Sequence, residues 1–331
     1  MVVLLRYLLS LACIAISLSP AGAQSLTLVE LNCENLFDVH YDSLKQDQEF
    51  LPDGNRHWTH SRYWRKLNAI GQELLSCTTD LPDLVALIEV ENDTVLHDLT
   101  RRSLLRNAGY QYLMTSSPDV RGLNVALLYQ PSRFRPICYD MLQVPLLQGM
   151  RPTRDILYIK GECQQGDTLH VFVIHAPSRY DGERQTRPYR MQVAKTLAQS
   201  VATLPADAHV MVAGDFNDYA DSPSLKFLYS QGLQNISAEA CGQNGARGTY
   251  RYQGEWRSID HVLASPSLAQ CVDTVYINDA PFLLEDEPVY GGKRPRRTFR
   301  GYRYQHNGFS DHLPLVVRFR LKPRSKESAP L

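Results

Sequence analysis

The chain has 331 residues, 44% of them hydrophobic, and 35 basic against 35 acidic side chains. That length allows one large domain or two ordinary ones, and the apolar fraction is enough for a sizeable core. A formal net charge of zero argues against a polycationic nucleic-acid binder, though not against a local basic groove.

The first predicted element is a targeting segment. Residues 8–18 are almost wholly apolar, Arg6 precedes them, and Ala21-Gly22-Ala23 supplies the small residues a signal peptidase reads. The expectation is a signal peptide over 1–23, cleaved after Ala23, and an exported chain, periplasmic or secreted. The run is short and breaks at Pro20, which disfavours a membrane anchor. Cys13 lies inside the apolar run, where a lipoprotein cysteine would not. Six cysteines follow, and no Cys-x-x-Cys occurs. They allow 15 full pairings, and buried thiols with one or two bridges are expected.

From Leu26 onward, apolar runs predict strands at 26–31, 84–88, 110–115, 123–129, 134–144, 156–163, 169–175, 209–213, 260–263, 272–277 and 315–321. Helical periodicity predicts helices at 61–76, 93–107, 188–202 and 222–229, with Pro188 in a first turn. A doubly wound parallel sheet would need a helix after nearly every strand. The pattern instead predicts an α/β domain of two mixed β-sheets packed face to face, with helices outside. It occupies 24–322, followed by a tail at 323–331. Two long polar loops, 38–60 and 278–308, interrupt it, and such loops are often functional.

Several strands end in polar residues that a core does not need. Gly214-Asp215-Phe216-Asn217-Asp218 follows the run 208–213. Alternation turns Asp215 and Asn217 to one face, where they can orient a water, although an Asx-rich turn has the same composition. The first strand leads into Asn32, Glu34 and Asn35, and the next ends at Glu89. His175-Ala176-Pro177-Ser178-Arg179 closes another, while Asp260-His261 and Ser310-Asp311-His312 open two more. If these ends converge, one rim holds carboxylates, carboxamides and imidazoles, a setting for a hard cation with bases beside it.

In this order the chain resembles the endonuclease/exonuclease/phosphatase superfamily. That group includes pancreatic-type deoxyribonuclease, abasic-site endonucleases, inositol-polyphosphate phosphatases and bacterial sphingomyelinases. The resemblance rests on Asn32-x-Glu34-Asn35-Leu36-Phe37-Asp38, Glu89, His175, Gly214-Asp215-Phe216-Asn217, Ile259-Asp260-His261 and Ser310-Asp311-His312. It covers about residues 26–321 and implies a four-layer αββα sandwich and hydrolysis of a phosphate ester using Mg²⁺, or Mn²⁺ in its place. It implies Glu89 as principal metal ligand, with Asn32, Glu34 and Asp311 around the ion or ions. The family position at Glu34 is often Asp. Asp215 and Asn217 resemble the pair that orients or deprotonates the attacking water. His312 resembles the catalytic histidine and Asp260 the carboxylate that fixes it. His175 matches a position that contacts the scissile phosphate or relays a proton.

Arg121, Asn124, Arg179 and Arg300 are candidate substrate contacts. Arg300 belongs to the basic run 293–304, which suits a phosphate backbone with base stacking, an anionic lipid headgroup, or a surface loop neutralised by the acidic stretch before it. Tyr250, Tyr252 and Trp256 read as packing residues. The expected function is a metal-dependent phosphodiesterase of nuclease type, acting on DNA or RNA. Alternatives are a phosphatase or phosphodiesterase on lipid headgroups or small esters, and a non-catalytic binding protein. No obligate protein partner is evident, and a monomer is expected.

Overall fold

The computed structural model describes residues 24–321 apart from 165. The predicted signal peptide and the tail at 323–331 lie outside the described residues. Twelve strands build the sheets: β1 (Gln24–Leu36), β2 (Leu84–Val90), β3 (Gln111–Met114), β4 (Asn124–Tyr129), β5 (Phe134–Leu142), β6 (Ile156–Cys163), β7 (Thr168–His175), β8 (His209–Asp215), β9 (Gln234–Asn235), β10 (Asp260–Ala264), β11 (Val272–Ile277) and β12 (Leu315–Leu321). The helices are α1 (His60–Leu75), α2 (Asp93–Arg101), α3 (Glu183–Val201), α4 (Pro223–Ser230) and α5 (Pro266–Ala269).

One six-stranded sheet has the order β11-β12-β1-β2-β4-β3, and the other β5-β6-β7-β8-β10-β9. Each contains one parallel pair, β1/β2 and β7/β8; the remaining neighbours are antiparallel. Only the parallel pairs need a crossover, and α1 and α3 supply them.

Strand alternation then sorts the core into layers. Leu26 and Leu28 of β1 meet Val171 and Val173 of β7 between the sheets. Val29 and Leu31, one residue out of phase, face Leu67, Ile70 and Leu74 of α1. Phe172 and Ile174 likewise face Val193 and Leu197 of α3. The predicted αββα sandwich is the observed fold. Each parallel pair ends at one edge of its sheet, and a hydrogen bond from Asn32 to Asp215 joins the two edges, so β1, β2, β7 and β8 share one rim.

The differences from the predicted elements have local causes. β1 does not stop at Leu31; it runs to Leu36 through a register shift after Asn32. α2 ends at Arg101, because Ser103 turns back, its Oγ donating to the Leu99 carbonyl at 2.5 Å. α3 begins at Glu183, so Pro188 lies inside it rather than in its first turn. The loop 278–308 contains two short hairpins, Leu284–Asp286 with Lys293–Pro295 and Phe299–Arg300 with Arg303–Tyr304. A third, Tyr250–Tyr252 with Glu255–Arg257, turns at Gln253-Gly254, both at positive φ. Cys33, Cys77, Cys138, Cys163 and Cys241 are free thiols, and the expected bridges are not formed among the described residues.

Candidate active site

Three adjacent strands of the second sheet assemble the first group. The ladder pairs His175 with Asp215 and Asp215 with Asp260, so their side chains stand abreast on one face. Gly214 has φ +145, and a Cβ there would meet the Ile174 carbonyl oxygen at 2.0 Å. Only glycine lets β8 lie this close to β7 where Asp215 emerges. The turn beyond is tied down. Asn217 N–H donates to Asp215 Oδ1 at 2.7 Å, and Asn217 Nδ2 donates to the Ala176 carbonyl at 3.0 Å. Buried Arg190 of α3 holds Asp218, Nε to Oδ1, at 2.7 Å.

The first sheet contributes from the opposite side. Asn32 Nδ2 donates to Asp215 Oδ2 at 3.1 Å, joining the two sheets at the rim. Glu89 Oε2 accepts the Asn35 N–H at 2.8 Å. Its Oε1 lies 3.8 Å from His175 Nε2 and 4.0 Å from Arg121 Nη2, and accepts no hydrogen bond among the described residues. Glu34, Asn35, Glu89 and Asn217 all adopt positive φ, 51, 59, 64 and 49 degrees. Such backbone costs on the order of 1 kcal/mol or more per residue and concentrates at functional sites. The register shifts in β1 and β2 fall at these same positions.

His312 enters from the segment before β12. Its Nδ1 and Asp260 Oδ2 are 2.8 Å apart, both groups buried. Thr249 Oγ1 donates to the same carboxylate oxygen at 2.5 Å. The Tyr250 ring lies against the His312 ring, centroids 4.9 Å apart. Burial alone would depress His312. The charge and hydrogen bond of Asp260, with Asp311 and Asp215 beyond, outweigh it and hold the imidazole well above its ordinary value. His175 goes the other way. Burial, then Arg154, Arg121 and His312, push it well below that value, and its Nδ1 has no hydrogen-bond partner among the described residues. One rim therefore carries a cationic and a neutral histidine, the separation that acid and base roles require. Burial and the nearby Asp260 push Asp215 up to about 7. Beneath them, Glu30 of β1 is buried, and neither carboxylate oxygen has a hydrogen-bond partner among the described residues. Burial, then Asp260 and Asp215, hold it well above the carboxylate range.

The donor set suits one hard divalent cation beside Glu89, with the free Glu89 Oε1 and the carboxamide oxygen of Asn32, which also accepts the Glu34 N–H at 3.0 Å. Glu34 and Asp311 are arranged differently from that expectation. Glu34 accepts the N–H groups of Thr298 and Phe299 at 2.5 and 3.2 Å, and Arg297 Nη2 donates to Asp311 Oδ2 at 2.8 Å.

Two of the four expected substrate contacts lie at the rim. Arg121 Nη1 donates to Asn35 Oδ1 at 3.2 Å. Arg179 stacks on Tyr219 at 4.4 Å, with Arg257 over the same ring at 4.8 Å, beside the Asp215–Asp218 turn. Asn124 and Arg300 are engaged within the protein instead. The Asn124 carboxamide is buried, donating to the Glu91 and Gly122 carbonyls and accepting from Ser117 N–H and Thr115 Oγ1. Arg300 is ion-paired to Glu285. Lys293 and Arg294 pair with Asp286, Glu285 and Glu287, so the acidic stretch neutralises much of the basic run. Residues that the sequence does not single out for the site also stand at it: Thr249, Glu30, Tyr250, which reads as packing, and Arg297 of the basic run. The Thr-Tyr pair at the start of an unpredicted hairpin carries no periodic signal of its own.

Stacked mixed sheets carrying an Asp–His pair and oxygen donors at a shared rim define a phosphoester hydrolase. A sequence model of the Endonuclease/Exonuclease/phosphatase family matches residues 27–321, and the chain belongs to that family. Protein angel of Drosophila melanogaster is 22% identical over 248 residues, covering 70% of this chain and 68% of that protein. An endonuclease/exonuclease/phosphatase family protein of Bacteroides thetaiotaomicron superposes with a TM-score of 0.60 at 16% identity, over 90% of this chain and 98% of that one. A mannosyl-6-phosphatase of the same species gives 0.60 at 16%, over 88% and 98%. A humanized D. rerio TDP2 gives 0.58 at 18%, over 89% and 98%.

Proposed function

We propose that the chain is an exported, Mg²⁺-dependent phosphodiesterase of nuclease type, with Mn²⁺ able to replace Mg²⁺. The observation that carries this reading is the buried Asp260–His312 pair beside Asp215 and Asn217. A cationic imidazole can hydrogen-bond a nonbridging phosphate oxygen as negative charge builds there. Asp215, pushed up to about 7, suits a base that takes a proton from the attacking water. Asn217, with its amide nitrogen held by the Ala176 carbonyl, presents its carboxamide oxygen to the same water. Neutral His175 can contact the phosphate or relay a proton. Glu89 and Asn32 would hold the cation, which supplies charge neutralisation at the phosphate.

The nucleic-acid substrate draws support from the Arg179–Tyr219–Arg257 stack, which offers cations and an aromatic face beyond a single phosphate. TDP2, one of the structural neighbours, has been seen with a single-strand DNA product. A second reading, small phosphate esters or lipid headgroups, is favoured by the internal neutralisation of Lys293, Arg294 and Arg300, which leaves no long free basic track there.

The test compares single-stranded and duplex oligonucleotides, RNA, bis(p-nitrophenyl) phosphate, p-nitrophenyl phosphate and sphingomyelin. Each is incubated with purified protein and Mg²⁺ or Mn²⁺, with EDTA as control. Metal-dependent oligonucleotide cleavage supports the leading reading. Turnover confined to the monoester or sphingomyelin supports the second, and no turnover on any substrate rejects both.

A further inference from the structure

Glu34 and Asp311 are the carboxylates that the family resemblance offers as additional metal ligands. In this fold one guanidinium bridges them. Arg297 Nη2 lies 2.8 Å from Asp311 Oδ2, and its Nε lies 3.4 Å from Glu34 Oε1. Two backbone N–H groups also point at the Glu34 carboxylate, which is 5% exposed. Both of its oxygens are therefore engaged from inside the protein. Behind it, buried Lys66 donates to Thr298 Oγ1 at 2.6 Å and to the Phe309 carbonyl. Gly308 keeps the loop on Arg297, since a Cβ there would come 2.4 Å from the Arg297 carbonyl oxygen.

The charges balance without metal at this end of the rim. Glu34 and Asp311 face Arg297, with Lys66 behind. A divalent ion added here would leave uncompensated positive charge beside the buried Glu34 carboxylate, which is costly. The Glu89 end differs, because one carboxylate oxygen there accepts no hydrogen bond among the described residues.

We propose that Arg297 stands in for a second metal ion. The enzyme then holds a single divalent cation, at Glu89, and the Arg297 guanidinium neutralises the other side of the phosphate. This rests on the phosphoesterase reading above. Arg297 Nη1 makes no hydrogen bond among the described residues and is the group left for a nonbridging oxygen. Guanidinium suits the task because it is permanently charged and presents several donors in a fixed plane.

Mn²⁺ titration monitored by electron paramagnetic resonance of the free ion counts sites without turnover. The full chain is expected to bind one Mn²⁺. Arg297→Met is expected to bind two, as Glu34 and Asp311 lose their cation, and inhibition by inorganic phosphate weakens about tenfold or more. Arg297→Lys, which keeps the charge, is expected to stay at one. Two ions on the wild-type chain with hydrolysis intact would overturn this inference and leave the proposed function standing. So would an Arg297→Met protein that binds one ion and keeps wild-type phosphate inhibition. Failure of the wild-type chain to bind any Mn²⁺ would overturn both. The wild-type count decides the matter even if Arg297→Met fails to fold.

Discussion

Asp260 and His312, fifty-two positions apart in the chain, meet in a buried 2.8 Å hydrogen bond between the two sheets' rims. The bond joins the start of β10 to the segment that leads into β12, so closing the sandwich is what forms the pair. Asp260→Asn removes the charge that keeps His312 cationic. We expect the His312 imidazole to titrate at lower pH, read by NMR of its ring protons, and activity to fall by about 10²–10⁴. The linked stability has a definite sign. A histidine with a raised folded pKa contributes stability that is fully present below its unfolded value and lost as pH rises through the folded one. The Asn variant is therefore destabilised more at pH 5 than at high pH.

Gly214 lets Asp215 reach the rim. Gly214→Ala would place a methyl group 2.0 Å from the Ile174 carbonyl oxygen, forcing β8 away from β7. A loss of about 1–3 kcal/mol is expected in urea unfolding, together with a fall in activity out of proportion to the residual unfolded fraction at assay temperature. Equal losses in both would reduce Gly214 to a packing residue.

Arg190 and Asp218 form a buried ion pair that anchors the turn holding Asn217. Arg190→Ala leaves Asp218 buried without its partner, and a cost of about 3–5 kcal/mol is expected. Denaturant unfolding measures it. The double variant Arg190→Met, Asp218→Leu should recover part of that stability, because it leaves no lone charge.

Glu73 on α1 is buried, and neither carboxylate oxygen has a hydrogen-bond partner among the described residues. Burial pushes it up to about 8, opposed mainly by Lys66. Between its unfolded value, near 4.5, and about 8, the native state holds a proton that the unfolded chain releases. Stability therefore falls as pH rises through that window, by up to about 1.4 kcal/mol per pH unit from this group. Glu73→Gln should match wild type at pH 4 and exceed it at pH 8 in urea unfolding. Parallel curves for the two proteins across that range would refute the assignment.

Much of this site is legible in the sequence because strands end where their hydrophobic pattern does. Asp215, His175 and Asp260 sit beside apolar runs, and ladder register alone brings them abreast. Glu89 follows the same logic, although nothing local signals its positive φ. Arg297 and Arg300 are three residues apart in one basic run, and composition cannot separate them. Which of them turns to the rim depends on two hairpins in the loop 278–308 and on a glutamate from the other end of the chain. Tyr250 and Thr249 are hidden for a similar reason, since their partners Asp260 and His312 come from two different strand ends. Asn124 shows the opposite case: its polarity serves its own loop, donating to Glu91 and Gly122 carbonyls.

The most direct test is metal-dependent hydrolysis by wild type, Asp215→Ala and His312→Ala, each checked for folding by circular dichroism and a cooperative melt. With Mg²⁺, wild type should turn over a phosphodiester, while both variants stay folded and lose at least about 10³-fold in kcat. Wild-type-like turnover in folded Asp215→Ala and His312→Ala would contradict the account, because the water-orienting carboxylate and the cationic imidazole would then not be where the chemistry occurs.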